Sequence, residues 1–350
     1  MAPSLTTTIA ATEPMSLSTI LKDKRAAEEE KSAIQRISHG PMIPGIPSFT
    51  SVEKKRRWML EHLAGAFRVF ARKGFCEGLA GHISLRDPGE CETDINDNIS
   101  QPYPMSSLTI PKNTRIASGL TRMDRIPLGP WFPMAHNVCS RLGVHFGMIK
   151  VSDLILLNHE GEPVGGATHL PSNRAGFQIH SHLHKRYPHV NAACHTHSKY
   201  GKAYSAFGKR LDMINQDVLY FYGDAHGVYN EFGGVVLDDE EGEKLAQCLG
   251  EKGKGLILLN HGLLTVGQTV DEAAYLYTLM ERSCEVQLLA DAAAAGTGNG
   301  KILVNEDAAR FTFKAASDPV RWPPPPPPKT PPTRLSANFF IGGIILPFPA

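Results

Sequence analysis

Residues 186–203 read RYPHVNAACHTHSKYGKA, and two histidines within them, His195 and His197, stand two positions apart. Every second residue from Val190 to Cys194 is apolar, which predicts a short β-strand. Because side chains two apart on a strand point to the same side, the two imidazoles are expected to face one direction. The stretch therefore predicts a pair of imidazoles at the end of a buried strand.

A third histidine ends another apolar run, LILLNHG, where His261 is followed at once by Gly262. We expect this glycine to permit a backbone turn that exposes the ring. Three neutral imidazoles with one open position form the ligand set of a catalytic divalent metal, zinc before others. Spacing alone leaves the alternative of packed histidines open, because an HxH pair arises by chance in a chain with 15 histidines.

A further group of histidines, in the run HSHLH, falls within a predicted helix that Ser172 or Asn173 caps. His180 and His184 share one face of that helix. We interpret the group as structural, with His180 packed beneath the site.

Composition bounds the class of protein. The chain has 350 residues, 42% of them hydrophobic, and a net charge of +1. This balance disfavours nucleic acid or an anionic membrane surface as a partner. The six cysteines form no CxxC pair, and the chain begins without a secretory signal pattern. We therefore expect a cytoplasmic protein whose cysteines are free thiols and which has no membrane partner.

Strands and helices alternate over residues 51–88 and 142–295, which predicts one α/β domain with a helix-covered sheet. The first helix begins near Ser51 and ends at Gly74, and its apolar residues recur at helical spacing. We expect residues 1–50 to form a disordered arm. Residues 89–141 show no sustained period and are expected to be an irregular insertion in the domain 51–295, and residues 296–350 a Pro-rich irregular tail.

Several motifs in a fixed order, AGHIS, RYPHVNAACHTHS and LLNHGLLTVG, followed by a long closing helix, closely resemble the class II aldolase/adducin family. The resemblance implies a three-layer αβα sandwich around a central mostly antiparallel or mixed sheet. It also implies a homotetramer with sites at subunit boundaries, and Zn²⁺ or another divalent metal held by His195, His197 and His261.

The chain departs from the family pattern at two positions. The family's aldolases carry an acidic proton-transfer residue where this chain has Gly176, and an asparagine where it has His82. Ser84 is retained in the phosphate loop. The resemblance therefore leaves Ser84, His82 and Arg174 as candidates for binding an anion on the substrate.

The catalytic acid or base is left unidentified. Three residues that follow the HxH pair are weak candidates to replace it, each weighed against an ordinary loop role: Asp217, Tyr222 and His226.

Two functions are compatible with these features. The first is a metal-dependent class II aldolase-like lyase, or a related epimerase or decarboxylase, that acts on a small hydroxy- or keto-carbonyl compound through a zinc-stabilised enediolate. The alternative is a non-catalytic oligomeric scaffold like the adducin head, associated with actin and the cytoskeleton. The loss of the acid at Gly176 favours the second function, and the retained histidine triad favours the first.

Overall fold

The computed structural model of the protein describes residues 46–78, 80–90, 137–234, 239–316, 338–341 and 344–347. A sheet of eight strands lies at its centre, in the order β4-β3-β2-β1-β5-β8-β7-β6. The strands are β1 (His82–Arg86), β2 (Asn137–Ser140), β3 (Leu154–Leu157), β4 (Pro163–Gly166), β5 (Ala192–Thr196), β6 (His226–Tyr229), β7 (Gly255–Leu258) and β8 (Gly262–Gly267).

All neighbouring strands of this sheet pair antiparallel except β6 and β7, which are parallel. The described helices are α1 (Val52–Lys73), α2 (Arg174–Arg186), α3 (Lys199–Ser205), α4 (Asp239–Leu249), α5 (Val270–Thr297) and α6 (Glu306–Ala316). Two further strands, β9 (Asn338–Ile341) and β10 (Ile344–Pro347), pair with each other.

Two apolar cores cover the two faces of the sheet. One core joins α1, α3 and α5 to the sheet through residues such as Phe67, Tyr204 and Tyr277. The other joins α2 and α4 through Leu183 and Leu245. The α/β fold with a mixed central sheet between helical layers is thereby confirmed.

The alternation along β5 decides which layer the site faces. Cys194 packs into the core under α1 and α5, whereas its neighbour Ala193 packs under α2 and α4. Since residues two apart share a face, His195 points toward the α2 layer. The site is therefore built between the sheet and α2.

The first helix forms as its sequence predicts. Ser51 accepts a hydrogen bond from the Lys54 amide at the N-cap, and Gly74 ends the helix in the left-handed conformation at φ 74°. The apolar residues at helical spacing lie on its buried face, where Leu63, Ala66 and Phe70 are fully buried.

Two boundaries differ from the sequence-based expectation. Residues 137–140, assigned to the irregular insertion 89–141, are β2, a strand hydrogen-bonded on both sides. The four-residue length of β2 gives too few alternations for a period to be recognised. The tail was expected to be irregular from residue 296, but it contains α6 and the β9–β10 pair. The expected N-terminal arm up to residue 45, residues 91–136 and the proline run of the tail lie outside the described residues.

The position of β2 generates a test of the insertion boundary. We expect a variant in which a short Gly-Ser linker replaces residues 91–136 to unfold cooperatively in urea. A variant in which the linker replaces residues 91–140 should lose that cooperativity, because β1 and β3 each lose the hydrogen-bonding partner between them. Circular dichroism against urea concentration measures both, and equal stability of the two variants would contradict the assignment of β2.

Candidate metal centre

The end of β5 and the β7–β8 connection bring three imidazoles together. His195 lies within β5, His197 is the first residue after it, and His261 lies in the connection between β7 and β8. Strands β5 and β8 are neighbours, with His195 opposite Leu264 in the register. The pairing of these two strands therefore places residues far apart in the chain side by side.

The three rings surround one point in space. The ring centroids of His195 and His197 are 5.2 Å apart, and His261 lies 4.7 Å from the first and 4.6 Å from the second. One nitrogen of each ring lies within 4.8 Å of one nitrogen of each of the others. This spacing is close enough for the three nitrogens to converge on one cation after small side-chain rotations.

A hydrogen bond selects the tautomer of the buried ligand candidate. His195 Nδ1 lies 2.9 Å from the carbonyl oxygen of Leu263. A carbonyl oxygen only accepts, so Nδ1 carries the proton and Nε2 keeps its lone pair. The arrangement is the one in which a histidine offers Nε2 to a metal.

Burial keeps all three rings neutral near pH 7. It lowers the pKa of His195 well below 6.5, with the imidazoles of His261, His82 and His197 adding to the effect. Burial and the neighbouring His197 lower the pKa of His261 to about 4. Since a metal binds the deprotonated ring, these residues fit a divalent cation in both geometry and protonation.

The turn that carries His261 depends on two residues with different roles. Asn260, not Gly262, adopts the left-handed conformation, at φ 53°. Gly262 is needed for space, because a Cβ there would lie 2.5 Å from the carbonyl oxygen of Thr196. Gly262 therefore permits the turn by letting β8 approach the end of β5, and Asn260 supplies the left-handed backbone conformation.

The position of the missing acid is filled by another side chain. A Cβ at Gly176 would lie 2.5 Å from Cγ of His82. His82 is opposite His195 in the β1–β5 register, and their ring centroids are 5.3 Å apart. The two departures from the family pattern are thus one structural feature, in which the His82 ring occupies the space beside Gly176.

Behind His82, a buried hydrogen-bond chain runs between the sheet and α2. His184 Nδ1 lies 3.0 Å from the carbonyl oxygen of Val190, so His184 Nε2 is the acceptor for the hydroxyl of Ser84 at 2.7 Å. That hydroxyl in turn accepts from His180 Nδ1 at 2.8 Å. The structural interpretation of His180 and His184 agrees with this geometry.

This chain argues against Ser84 as an anion contact. Ser84 is 3% exposed, and its hydroxyl proton is donated to His184. His82 is also buried, and burial followed by the imidazoles of His261 and His197 lowers its pKa from 6.5 to about 3. The neutral ring of His82 carries no charge to attract an anion, and the hydroxyl proton of Ser84 is already donated to His184. Arg174 is exposed at the first residue of α2 and stays a predicted anion contact.

The three weak candidates for the catalytic role lie outside the histidine cluster as the described residues define it. Both ring nitrogens of His226 are engaged, Nε2 by the amide of Leu211 and Nδ1 by the carbonyl oxygen of Phe221, so this buried ring is structural. The hydroxyl of Tyr222 donates to Glu306 on α6. Asp217 is exposed at the start of a short 3₁₀ turn.

One ion pair beside the cluster is not predicted by the sequence motifs. Lys202 on α3 binds the carboxylate of Glu77, which lies in the loop before β1. After burial, Lys202 lowers and Glu77 raises the pKa of His197. The position of Glu77 in GFCEGLAGHIS, just ahead of the AGHIS motif, was the available signal.

Comparison with known proteins identifies the family of the chain. The family model "Class II Aldolase and Adducin N-terminal domain" matches residues 121–288, which include the triad. The chain is 41% identical over 251 residues to the "Meiotically up-regulated gene 14 protein" of Schizosaccharomyces pombe, covering 72% of this chain and 80% of that protein. It is 34% identical over 249 residues to the "Decarboxylase NovR" of Streptomyces niveus, covering 71% and 75%.

Among solved structures, the chain is similar to the "L-fuculose 1-phosphate aldolase from Glaciozyma antarctica PI12". The TM-score is 0.58 at 35% sequence identity, and the match covers 78% of this chain and 86% of that one.

The contact between Gly262 and Thr196 generates a stability prediction. Gly262→Ala should lower the free energy of unfolding by about 1–3 kcal/mol, because the new methyl group is forced against a strand backbone. Gly296→Ala is the matched control, since a Cβ there meets nothing within 4 Å in α5 and should cost nothing. Urea unfolding measures both, and an unchanged stability of Gly262→Ala would contradict the close approach.

The buried rings also predict how stability depends on pH. Burial lowers the pKa of His184 to about 3 and that of His226 to about 4, whereas both titrate near 6.5 in the unfolded chain. The unfolded state therefore binds more protons below pH 6.5. The stability from these neutral rings is complete above that pH and falls by about 1.4 kcal/mol per unit for each ring as pH decreases toward 4.

Urea unfolding of the metal-free protein between pH 7.5 and 5.0 measures this slope. His189→Asn, which changes an exposed histidine, should leave the slope unaltered. A free energy of unfolding that stays constant over this range would show that the rings are not buried in neutral form.

Proposed function

Because the chain belongs to the class II aldolase and adducin family, we propose that it is a metal-dependent lyase that cleaves a carbon–carbon bond in a small hydroxy- or keto-carbonyl compound. The observation that carries the proposal is the convergence of three neutral imidazoles, His195, His197 and His261. Histidines with a purely structural role do not need ring nitrogens that converge on one position, whereas the ligands of a cation do.

The cofactor we propose is Zn²⁺, with another divalent metal as the alternative. Three imidazoles and one open position suit zinc. When bound, the cation supplies a Lewis acid that polarises a carbonyl and offsets the negative charge that develops on oxygen as the bond breaks. The chain's own contribution is to orient the ligands, and the Leu263 carbonyl does this for His195.

Proton transfer must proceed without a carboxylate at Gly176. Glu77, in its ion pair with Lys202 beside His197, is the acidic side chain that we assign to the edge of the site. Decarboxylation is the second reaction that this arrangement favours. A keto acid loses CO₂ from a carboxylate that is already ionised, so no side chain has to remove a proton before the bond breaks. The similarity to a protein named as a decarboxylase supports including keto acids among the substrates.

The alternative is a non-catalytic scaffold like the adducin head, with actin as partner. The absence of an acid at Gly176 is the observation in its favour. The retained triad weighs against it, because a scaffold has no need of three neutral imidazoles that meet at one point. Cosedimentation with filamentous actin tests the alternative directly.

We further propose that the protein is a cytoplasmic homo-oligomer, a tetramer as in its family. Leu289 on α5 and Phe311 on α6 are exposed by 65% and 71%, and contact with a second copy of the chain would cover such side chains. Within the described residues, none of the helices has both the length and the apolar character needed to cross a bilayer.

Metal analysis tests the central proposal. The purified protein, stripped with a chelator and then dialysed against Zn²⁺, should retain about one zinc per chain by elemental analysis. His195→Ala should retain none. His182→Ala, which removes a half-buried histidine of α2 outside the cluster, should retain the full amount.

The reaction itself is tested on the zinc-loaded protein by two screens. Release of an aldehyde from hydroxy-ketones would show aldol cleavage, and release of CO₂ from keto acids would show decarboxylation. A wild-type protein that folds but retains no divalent metal would end the enzymatic proposal and leave the scaffold.

A further inference from the structure

A buried carboxylate on the long helix α5 lies directly beneath the segment that carries His197. Glu281 is 4% exposed. Its oxygens accept hydrogen bonds from the amide of Tyr200 at 2.8 Å and from the amide of Gly201 at 2.7 Å. The hydroxyl of Ser198 also donates to it.

These three donors belong to the N-cap and the first turn of α3, just after His197. Ser198 is adjacent to His197, and Tyr200 and Gly201 lie in the first turn of α3. Within the part of the chain that the structure describes, no Lys or Arg nitrogen forms an ion pair with Glu281. The negative charge is therefore stabilised by the segment's own donors, and the segment is held in place by the charge.

The residue on the other side of His197 is attached to the same helix. The hydroxyl of Tyr277, one turn before Glu281 on α5, donates to the carbonyl oxygen of Thr196 at 2.9 Å. It also lies 2.6 Å from the Thr196 hydroxyl. Both neighbours of His197 are thus tied to α5, whereas the ring of His197 is half-buried and faces the rings of His195 and His261.

The same helix also contacts the strand that follows His261. The hydroxyl of Thr265 on β8 donates to the carbonyl oxygen of Ala273 on α5 at 2.8 Å. Helix α5 is therefore in contact with the segment after β5 and with β8, the strand that begins directly after His261. A rigid element that holds two segments sets the distance between them.

We propose that Glu281 is a positioning residue that fixes the backbone after β5, so that the imidazole of His197 faces those of His195 and His261. This inference rests on the proposed metal function of the triad. It assigns to a carboxylate outside the ligand set the task of keeping His197 in place, as groups that hydrogen-bond to ligand residues do at metal sites. Glutamine cannot replace it, because one amide oxygen accepts while the NH₂ group opposes a donor.

Metal affinity measures the effect. We expect Glu281→Gln to weaken binding of Zn²⁺ by about 10-fold or more, measured by competition with a chromophoric chelator. Asp271→Asn is the matched control, because Asp271 is a second buried carboxylate of α5 but binds His62 on α1 instead of the ligand segment. It should change stability and leave the zinc affinity unchanged.

A double-mutant cycle shows whether Glu281 acts through His197. In the background of His197→Ala, adding Glu281→Gln should weaken zinc binding no further. An unchanged affinity of the single variant Glu281→Gln would overturn the inference. A further loss of the same factor in the His197→Ala background would overturn it as well, because the effect would then not pass through His197.

Hydrogen exchange of the metal-free protein gives a readout that does not need a metal. Amides of residues 199–205 should exchange faster in Glu281→Gln than in the wild type, and at the wild-type rate in Asp271→Asn. Unchanged exchange in Glu281→Gln would overturn the positioning role. A wild type that binds no zinc would instead remove the proposed function, so the two failures are distinguishable.

Discussion

The antiparallel pairing of β5 with β8 is the constraint on which the site depends. It places His195 opposite Leu264 and brings the end of one strand beside the connection that carries His261. A shift of the register by one residue would turn His195 to the opposite face of the sheet. Gly262 makes the pairing possible at its last position, since any larger residue would meet the Thr196 carbonyl.

Part of the interior between the sheet and α2 is polar, and its imidazoles are buried in the neutral form. His180 donates to Ser84, Ser84 donates to His184, and His184 donates to the Val190 carbonyl oxygen, in one directed chain. Burial lowers the pKa of each histidine, so no unpaired charge is enclosed. The chain also explains why a serine in the phosphate-loop motif is unavailable to an anion.

Compared with the family pattern, His82 and Gly176 change the side chains available at the site and leave the arrangement of the histidine triad in place. A histidine ring takes the space in which the family's aldolases carry an acidic side chain, and the triad remains intact beside it. The protein keeps three histidines whose geometry fits a cation, and it has glycine at the position of the family's usual proton-transfer group. The proposed role of Glu77 and the proposal of keto acids as substrates both start from this combination.

The sequence by itself determined the fold class, the helices with regular apolar spacing and the three histidines that meet. These features are local patterns or ordered motifs, which can be recognised in the sequence without knowledge of the fold. The tertiary structure alone decided that β2 belongs to the sheet, that His82 fills the place beside Gly176, that Ser84 is committed to His184, and that Glu281 supports the segment of His197. Each of these features depends on contacts between residues that are distant in the chain. The distances between such residues follow from strand register and helix packing, and a local sequence pattern predicts neither.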